Sequence, residues 1–182
     1  MGFMGFMGFM GFMGFMGFMG FMGFMGFMGF MRFSLGRERD KKEIVRRLRT
    51  LRPDSVRRWG RMSAHQMVCH LTDGFRMAAG EKRVNATPSL SQRTLIKWIA
   101  LHLPLPWPAG IMTVPEIDQE IGGTNPADFA ADLAELEMRV ESIAARRDVT
   151  WPPHPIFGRM SEPEWLRWGY RHVDHHLRQF GL

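Results

Sequence analysis

The densest group of chemically capable side chains lies near the C-terminus, in the run Tyr170-Arg171-His172-Val173-Asp174-His175-His176-Leu177-Arg178-Gln179, which holds three of the seven histidines. At about 100° per residue on a helix, His172 and His176 stand one turn apart, within about 40° of each other. A helix presents two imidazoles to one metal ion by this spacing. The same wheel puts Trp165, Gly169, His172, His176 and Gln179 on one inward stripe, beside Leu166, Tyr170, Val173 and Leu177, and leaves Asp174 on the opposite, solvated side. A third ligand has to come from another helix. His70 qualifies, because it borders the apolar stripe Met67, Leu71, Phe75 and Ala78, one turn before Gly74, where the missing side chain leaves room beside the imidazole. His65 lies about 140° from His70, so the two cannot serve one ion. Three neutral imidazoles with an open position make a catalytic metal site, where a bound water or thiol becomes more acidic or an oxygen is polarised.

The competing reading is a set of hydrogen-bonded core histidines in a bundle that is only a scaffold. Burying two imidazoles on one stripe costs on the order of a few kcal/mol unless each finds a partner. One cation partners both, but spacing alone does not choose between the readings. Asp73, about 60° around its helix from His70, and Gln179 border the site as candidates to act on the ligands; no residue is assigned as catalytic. His175 reads as a surface residue, with a place behind the ligands as the alternative, His102 as structural, and His154 as packing a loop over the helices. Cys69, the single cysteine, does not share a helix face with its neighbour His70, and reads as buried packing and not as a nucleophile. Trp107, Trp151, Trp165 and Trp168 read as core and loop anchors, with an apolar substrate pocket as the alternative.

The elements that must position these groups are helical. Ile44, Val45, Leu48 and Leu51 predict a first helix from about Arg37 to Leu51, stopped before Pro53. Ser63 and Gln66 form a capping box that opens a second, Ala64 to about Ala79. Gln92 to Leu103 is a third candidate, followed by a proline-rich loop from Pro104 to Pro115. Asn125 and Pro126 are expected to cap and start the next, on which Phe129, Leu133, Leu136, Val140 and Ile143 recur at helical spacing up to about Arg147. A second box, Ser161 with Glu164, opens the last, Glu162 to about Phe180, with Gly181 as its stop. No run alternates convincingly with strand-type residues. The expected class is all-α, an antiparallel four-helix bundle whose interior holds the site.

The chain has 182 residues, and residues 1–30 are ten copies of Met-Gly-Phe. Glycine at every third position costs a helix about 1 kcal/mol each time, which argues against a membrane span. The segment also lacks the charged start and cleavage site of a secretory signal. It reads as an in-frame extension before a start near Met31, with one domain over 31–182. One cysteine suits a reducing cytoplasm. Between Arg32 and Arg61, ten Arg and two Lys against four acidic residues give a net charge of +8 in a chain whose total is +6. A non-catalytic stress-response or binding module contacting nucleic acid or acidic lipid through this face is the alternative function. Interleaved acidic residues and the lack of a nucleic-acid motif favour a solvated helix face instead, so neither nucleic acid nor membrane is an expected partner.

Taken in order, Trp59-Gly60-Arg61-Met62-Ser63-Ala64-His65-Gln66-Met67-x-x-His70-Leu71, His154-Pro155-x-x-Gly158, Glu164-Trp165 and His172-x-x-x-His176-x-x-Gln179 resemble the DinB/YfiT-like superfamily, and within it a bacterial subgroup of unknown function. The resemblance runs from about Arg37 to Leu182. It implies a four-helix bundle with a divalent metal, commonly zinc or nickel, held by His70, His172 and His176. Several relatives are thiol-dependent transferases or isomerases that use a low-molecular-weight thiol, and many form homodimers. The expectation is therefore a cytoplasmic metal-dependent enzyme that activates such a thiol, or water, for transfer or hydrolysis on a small-molecule substrate. The Met-Gly-Phe extension departs from the family pattern.

Overall fold

The chain divides into Met1–Arg32 and Phe33–Leu182. A computed structural model describes residues 33–182 apart from 86–88, 104, 112 and 148, so the Met-Gly-Phe repeat and the expected start at Met31 lie outside the described residues. Those residues form five α-helices: α1 (Glu38–Leu48), α2 (Ala64–Ala79), α3 (Lys97–His102), α4 (Phe129–Ala145) and α5 (Glu162–Gln179). Among the described residues there is no strand, only one bridge between His154 and Gly158. The class is all-α, as expected. No described helix is long and apolar enough to cross a membrane.

The helices that carry the histidines are fixed by the two capping boxes. Ser63 Oγ accepts from Gln66 N while Gln66 Oε1 accepts from Ser63 N at 2.9 Å. Ser161 and Glu164 reproduce the pair at α5, with Glu164 Oε2 taking Ser161 N at 2.7 Å. Each box satisfies two amides that the first turn would otherwise leave unpaired. Gly80 ends α2 at φ 81°, a left-handed conformation that glycine adopts without strain.

Three boundaries differ from the sequence reading. α1 stops at Leu48, because Thr50 N and Leu51 N turn back to Arg47 O and Leu48 O; Leu51 still enters the core. The third helix begins as a π-helical stretch, Gln92–Ile96, before α3, and of α3 only Leu101 is buried. α4 starts at Phe129, not at Pro126. Asp73 Oδ2 holds Thr124 N at 2.7 Å, which keeps the chain before Asn125 tied to α2, and Asp128 caps the helix by accepting from Ala131 N at 2.8 Å.

α1 and α2 each pack on both α4 and α5, α4 also meets α5, and α3 leans on α5. Ile44 and Leu48 of α1, Met67, Leu71, Phe75 and Ala78 of α2, Leu136 and Val140 of α4, and Trp165, Val173 and Leu177 of α5 form the core. A fully buried side chain of this kind contributes about 1.5–3 kcal/mol. Asp174 is not simply solvated: its carboxylate pairs with Arg47 at 2.7 Å and Arg178 at 2.8 Å, which ties α1 to α5.

Candidate metal centre

α2 and α5 face each other across Gly74, and this contact brings His70 to His172 and His176. A Cβ on Gly74 would stand 3.2 Å from His172 Cε1, so the room that the sequence assigned to this glycine is occupied by the opposing imidazole. All three rings are buried, and one nitrogen of each lies within 4.8 Å of the others. Their ring centroids are 4.9–5.1 Å apart.

Hydrogen bonds decide which nitrogens converge. His70 Nδ1 is 2.8 Å from the carbonyl of Ile117, a partner that can only accept, so Nδ1 carries the proton and Nε2 is a bare lone pair. His176 Nδ1 lies 3.0 Å from Gln179 Oε1, and the amide is held in that sense because Gln179 Nε2 donates to Trp59 O at 2.9 Å. The tautomer of His176 is thereby fixed in the same way. His172 has no such partner: its Nδ1 is buried without a hydrogen bond, and its Nε2 sits 3.1 Å from His70 Nε2. A lone pair facing a second nitrogen at that distance needs a proton or a cation between them.

Burial keeps these rings neutral. Desolvation lowers the pKa of His70, despite the Ile117 bond and the fields of Asp73 and Asp118. It pushes His172 and His176 well below the ordinary histidine range, and the neighbouring imidazoles add to the effect. Neutral imidazoles with lone pairs aimed at one point are the donor set a transition-metal ion requires. The group could hold a metal ion.

The other candidates fall in different places. Gln179 is fully buried and acts on His176, as its position on the stripe suggested. Asp73 does not face the imidazoles: its oxygens take Thr124 N, Thr124 Oγ1 and Lys82 Nζ at 2.7–2.9 Å. It anchors the segment that follows the 3-10 turn Pro115–Ile117, whose last carbonyl orients His70. Trp107 and Trp168 border His172 at centroid distances of 6.2 and 4.8 Å, whereas Trp151 stacks on Trp165 away from it. His175 is half-buried against Trp59 and Trp107, and desolvation lowers its pKa to about 4. His154 is buried, with its pKa lowered to about 3 by desolvation; its Nδ1 accepts from Ile156 N and Phe157 N and so packs the loop. His102 meets Arg167 at 2.6 Å, a structural place. Cys69 is buried, and desolvation with the adjacent Asp132 carboxylate pushes its thiol up to about 12, which makes it no nucleophile.

Two groups escaped the sequence reading. The carbonyls of Ile117 and Trp59 belong to the main chain and carry no residue signature. Only Gly60, at φ 78° and pressed against Gln179, marks the second. Part of the basic segment is paired with carboxylates: Arg46 with Glu43, Arg47 with Asp174, Arg49 with Glu137, Lys41 with Glu38 and Glu141, and Arg61 with Asp118 and Glu120.

The fold and site define a helical protein with a buried group of three histidines. Residues 35–181 match the family described as "protein of unknown function (DUF1569)", and the chain belongs to that family. Neither the curated proteins nor the solved structures contain a match to the chain.

Proposed function

We propose that this protein is a metal-dependent enzyme of the DinB/YfiT-like type, a four-helix bundle of α1, α2, α4 and α5 in which His70, His172 and His176 hold a divalent ion, zinc or nickel. The observation that carries this reading is the 3.1 Å approach of two Nε2 atoms, one of them a lone pair fixed by Ile117. The mutual packing of the four longer helices and the membership of an uncharacterised family are compatible with it. A divalent ion so held acidifies a thiol or water, or polarises a carbonyl. A low-molecular-weight thiol is the favoured co-substrate, for transfer to a small molecule; water, for hydrolysis, is the other. The chain's own contribution is to keep three rings neutral, to aim the Nε2 atoms of His70 and His176 through Ile117 and Gln179, and to pack Trp107 and Trp168 against His172. The pairing of part of the basic face with carboxylates favours a solvated helix face over a nucleic-acid contact.

Elemental analysis of the untagged full chain, beside His172→Ala, tests the metal. The parent, incubated with zinc or nickel, is expected to hold about one equivalent more than the variant. Equal contents in two folded proteins overturn the proposal. A screen of thiols against electrophiles with the loaded parent then tests the reaction.

A further inference from the structure

A second group of ligating atoms lies on the other flank of α2. His65 and Cys69 are four residues apart, so they share a face of that helix, and Asp132 of α4 stands opposite both. His65 Nε2, Cys69 Sγ and an Asp132 carboxylate oxygen all lie within 4.8 Å of one another. The contacts converge on a single atom: Asp132 Oδ2 is 2.6 Å from His65 Nε2, 3.7 Å from Cys69 Sγ and 3.1 Å from Ala127 N. Phe129 packs its ring edgewise on His65 at 5.4 Å and limits where the imidazole can swing. His65 and Asp132 retain partial solvent access, at 21% and 22% side-chain exposure, so an ion can reach the group and keep a water.

We infer that His65, Cys69 and Asp132 form a second divalent-cation site, distinct from the three-histidine group and suited to a borderline-soft ion such as zinc. Imidazole, thiolate and carboxylate are the three ligand types zinc takes from proteins, and water completes four-coordination. Three donors crowd one carboxylate oxygen that has two in-plane lone pairs. On binding, the thiol proton of Cys69 and the proton that His65 Nε2 places on Asp132 Oδ2 leave to solvent, the cation supplies charge in their place, and Ala127 N keeps its bond. Entry parts His65 from Asp132, since two ligands with bonds of about 2.0–2.2 Å to one tetrahedral ion stand farther apart than a hydrogen bond allows. The partly exposed side chains of α2 and α4 can make that adjustment. Bound there, the ion clamps α2 to α4, while His70, on the next residue but a different face, serves the first site.

Cobalt(II) is the probe, because Cys69 is the only thiol in the chain and the three-histidine group offers no sulfur. Titration of the reduced, untagged full chain is expected to raise a near-ultraviolet thiolate-to-cobalt band. The band should persist in His172→Ala, disappear in Cys69→Ser, and weaken in Asp132→Asn. Zinc should raise the Tm of His172→Ala and not that of the double variant His172→Ala with Cys69→Ser, since a ligand stabilises only the state it binds. Absence of the band in the parent at excess cobalt overturns the inference without any variant having to fold. A band lost in His172→Ala, or retained in Cys69→Ser, overturns it equally. Failure of the three-histidine proposal reads differently: the thiolate band remains and the sulfur-free absorption is missing.

Discussion

Gln179 spends one end of its amide on Trp59 O and the other on His176 Nδ1, so the orientation of an imidazole on α5 depends on the loop before α2. Removing that acceptor frees the ring to rotate and to take the wrong tautomer. Gln179→Leu is expected to weaken metal binding about 10–100-fold, the usual effect of losing a partner behind a ligating histidine, and Gln179→Glu should restore much of it. Chelator competition measures both, and an unchanged affinity in folded Gln179→Leu would remove the residue from the site. Gly74 makes a sharper case, because two effects of one methyl oppose each other. In mid-helix, Ala is favoured over Gly by about 1 kcal/mol. A Cβ there, however, stands 3.2 Å from His172 Cε1, so the imidazole has to give by a few tenths of an ångström. Gly74→Ala should keep the helical content measured by circular dichroism and lose metal affinity. If affinity is retained, His172 has more freedom than its packing indicates.

Among the elements, the long amphipathic helices were legible in the sequence because their signals are local: capping boxes at Ser63 and Ser161, and apolar residues at helical spacing. Both boxes form, and α2 has the expected ends. α4 starts at Phe129 and not behind the Asn125-Pro126 signal because what displaces its start is not local. Asp73, fifty-one positions earlier, takes the Thr124 amide, and no pattern within the segment reports that. The histidines were legible for the same local reason, His172 and His176 lying one turn apart, with His70 found by its stripe. Their orienting carbonyls were not, since any residue supplies a carbonyl. The same anchor yields a prediction. Asp73 has no exposed side-chain surface and bonds Thr124, Lys82 and Arg76, so Asp73→Ala leaves these partly buried partners unanswered. It should cost about 3 kcal/mol in denaturant unfolding. It should also weaken metal binding, because the loop it holds includes the Ile117 carbonyl, and a variant that loses stability with no change in affinity would break that link between anchor and site.

For the whole molecule, the buried histidines make acid the condition under which a metal-free and a metal-loaded chain would differ. His70, His172, His176 and His154 are all held below the ordinary histidine value of about 6.5 by desolvation, His154 at about 3. A lowered folded-state pKa means that the unfolded chain binds protons first as the pH falls. The stability these neutral rings represent is therefore fully present above about pH 6.5 and is lost progressively below it. Each of the four can steepen the loss by up to about 1.4 kcal/mol per pH unit, until its own folded-state pKa is reached, which for His154 is near 3. A marginal domain of about 5–15 kcal/mol does not survive several such terms for long, so the metal-free chain should unfold in mildly acidic solution, well above the range where most carboxylates titrate. A bound ion adds its own proton competition, since the rings must stay neutral to ligate. It should shift the midpoint to lower pH in proportion to the logarithm of free metal. Acid titration followed by circular dichroism, with and without zinc, reads both effects. Replacing His172 with Gln should remove part of the acid sensitivity and most of the zinc-dependent shift. A metal-free protein whose stability is flat from pH 7 to pH 4 would show that these imidazoles are not buried in solution, and the case for a preformed three-histidine centre would fall with them.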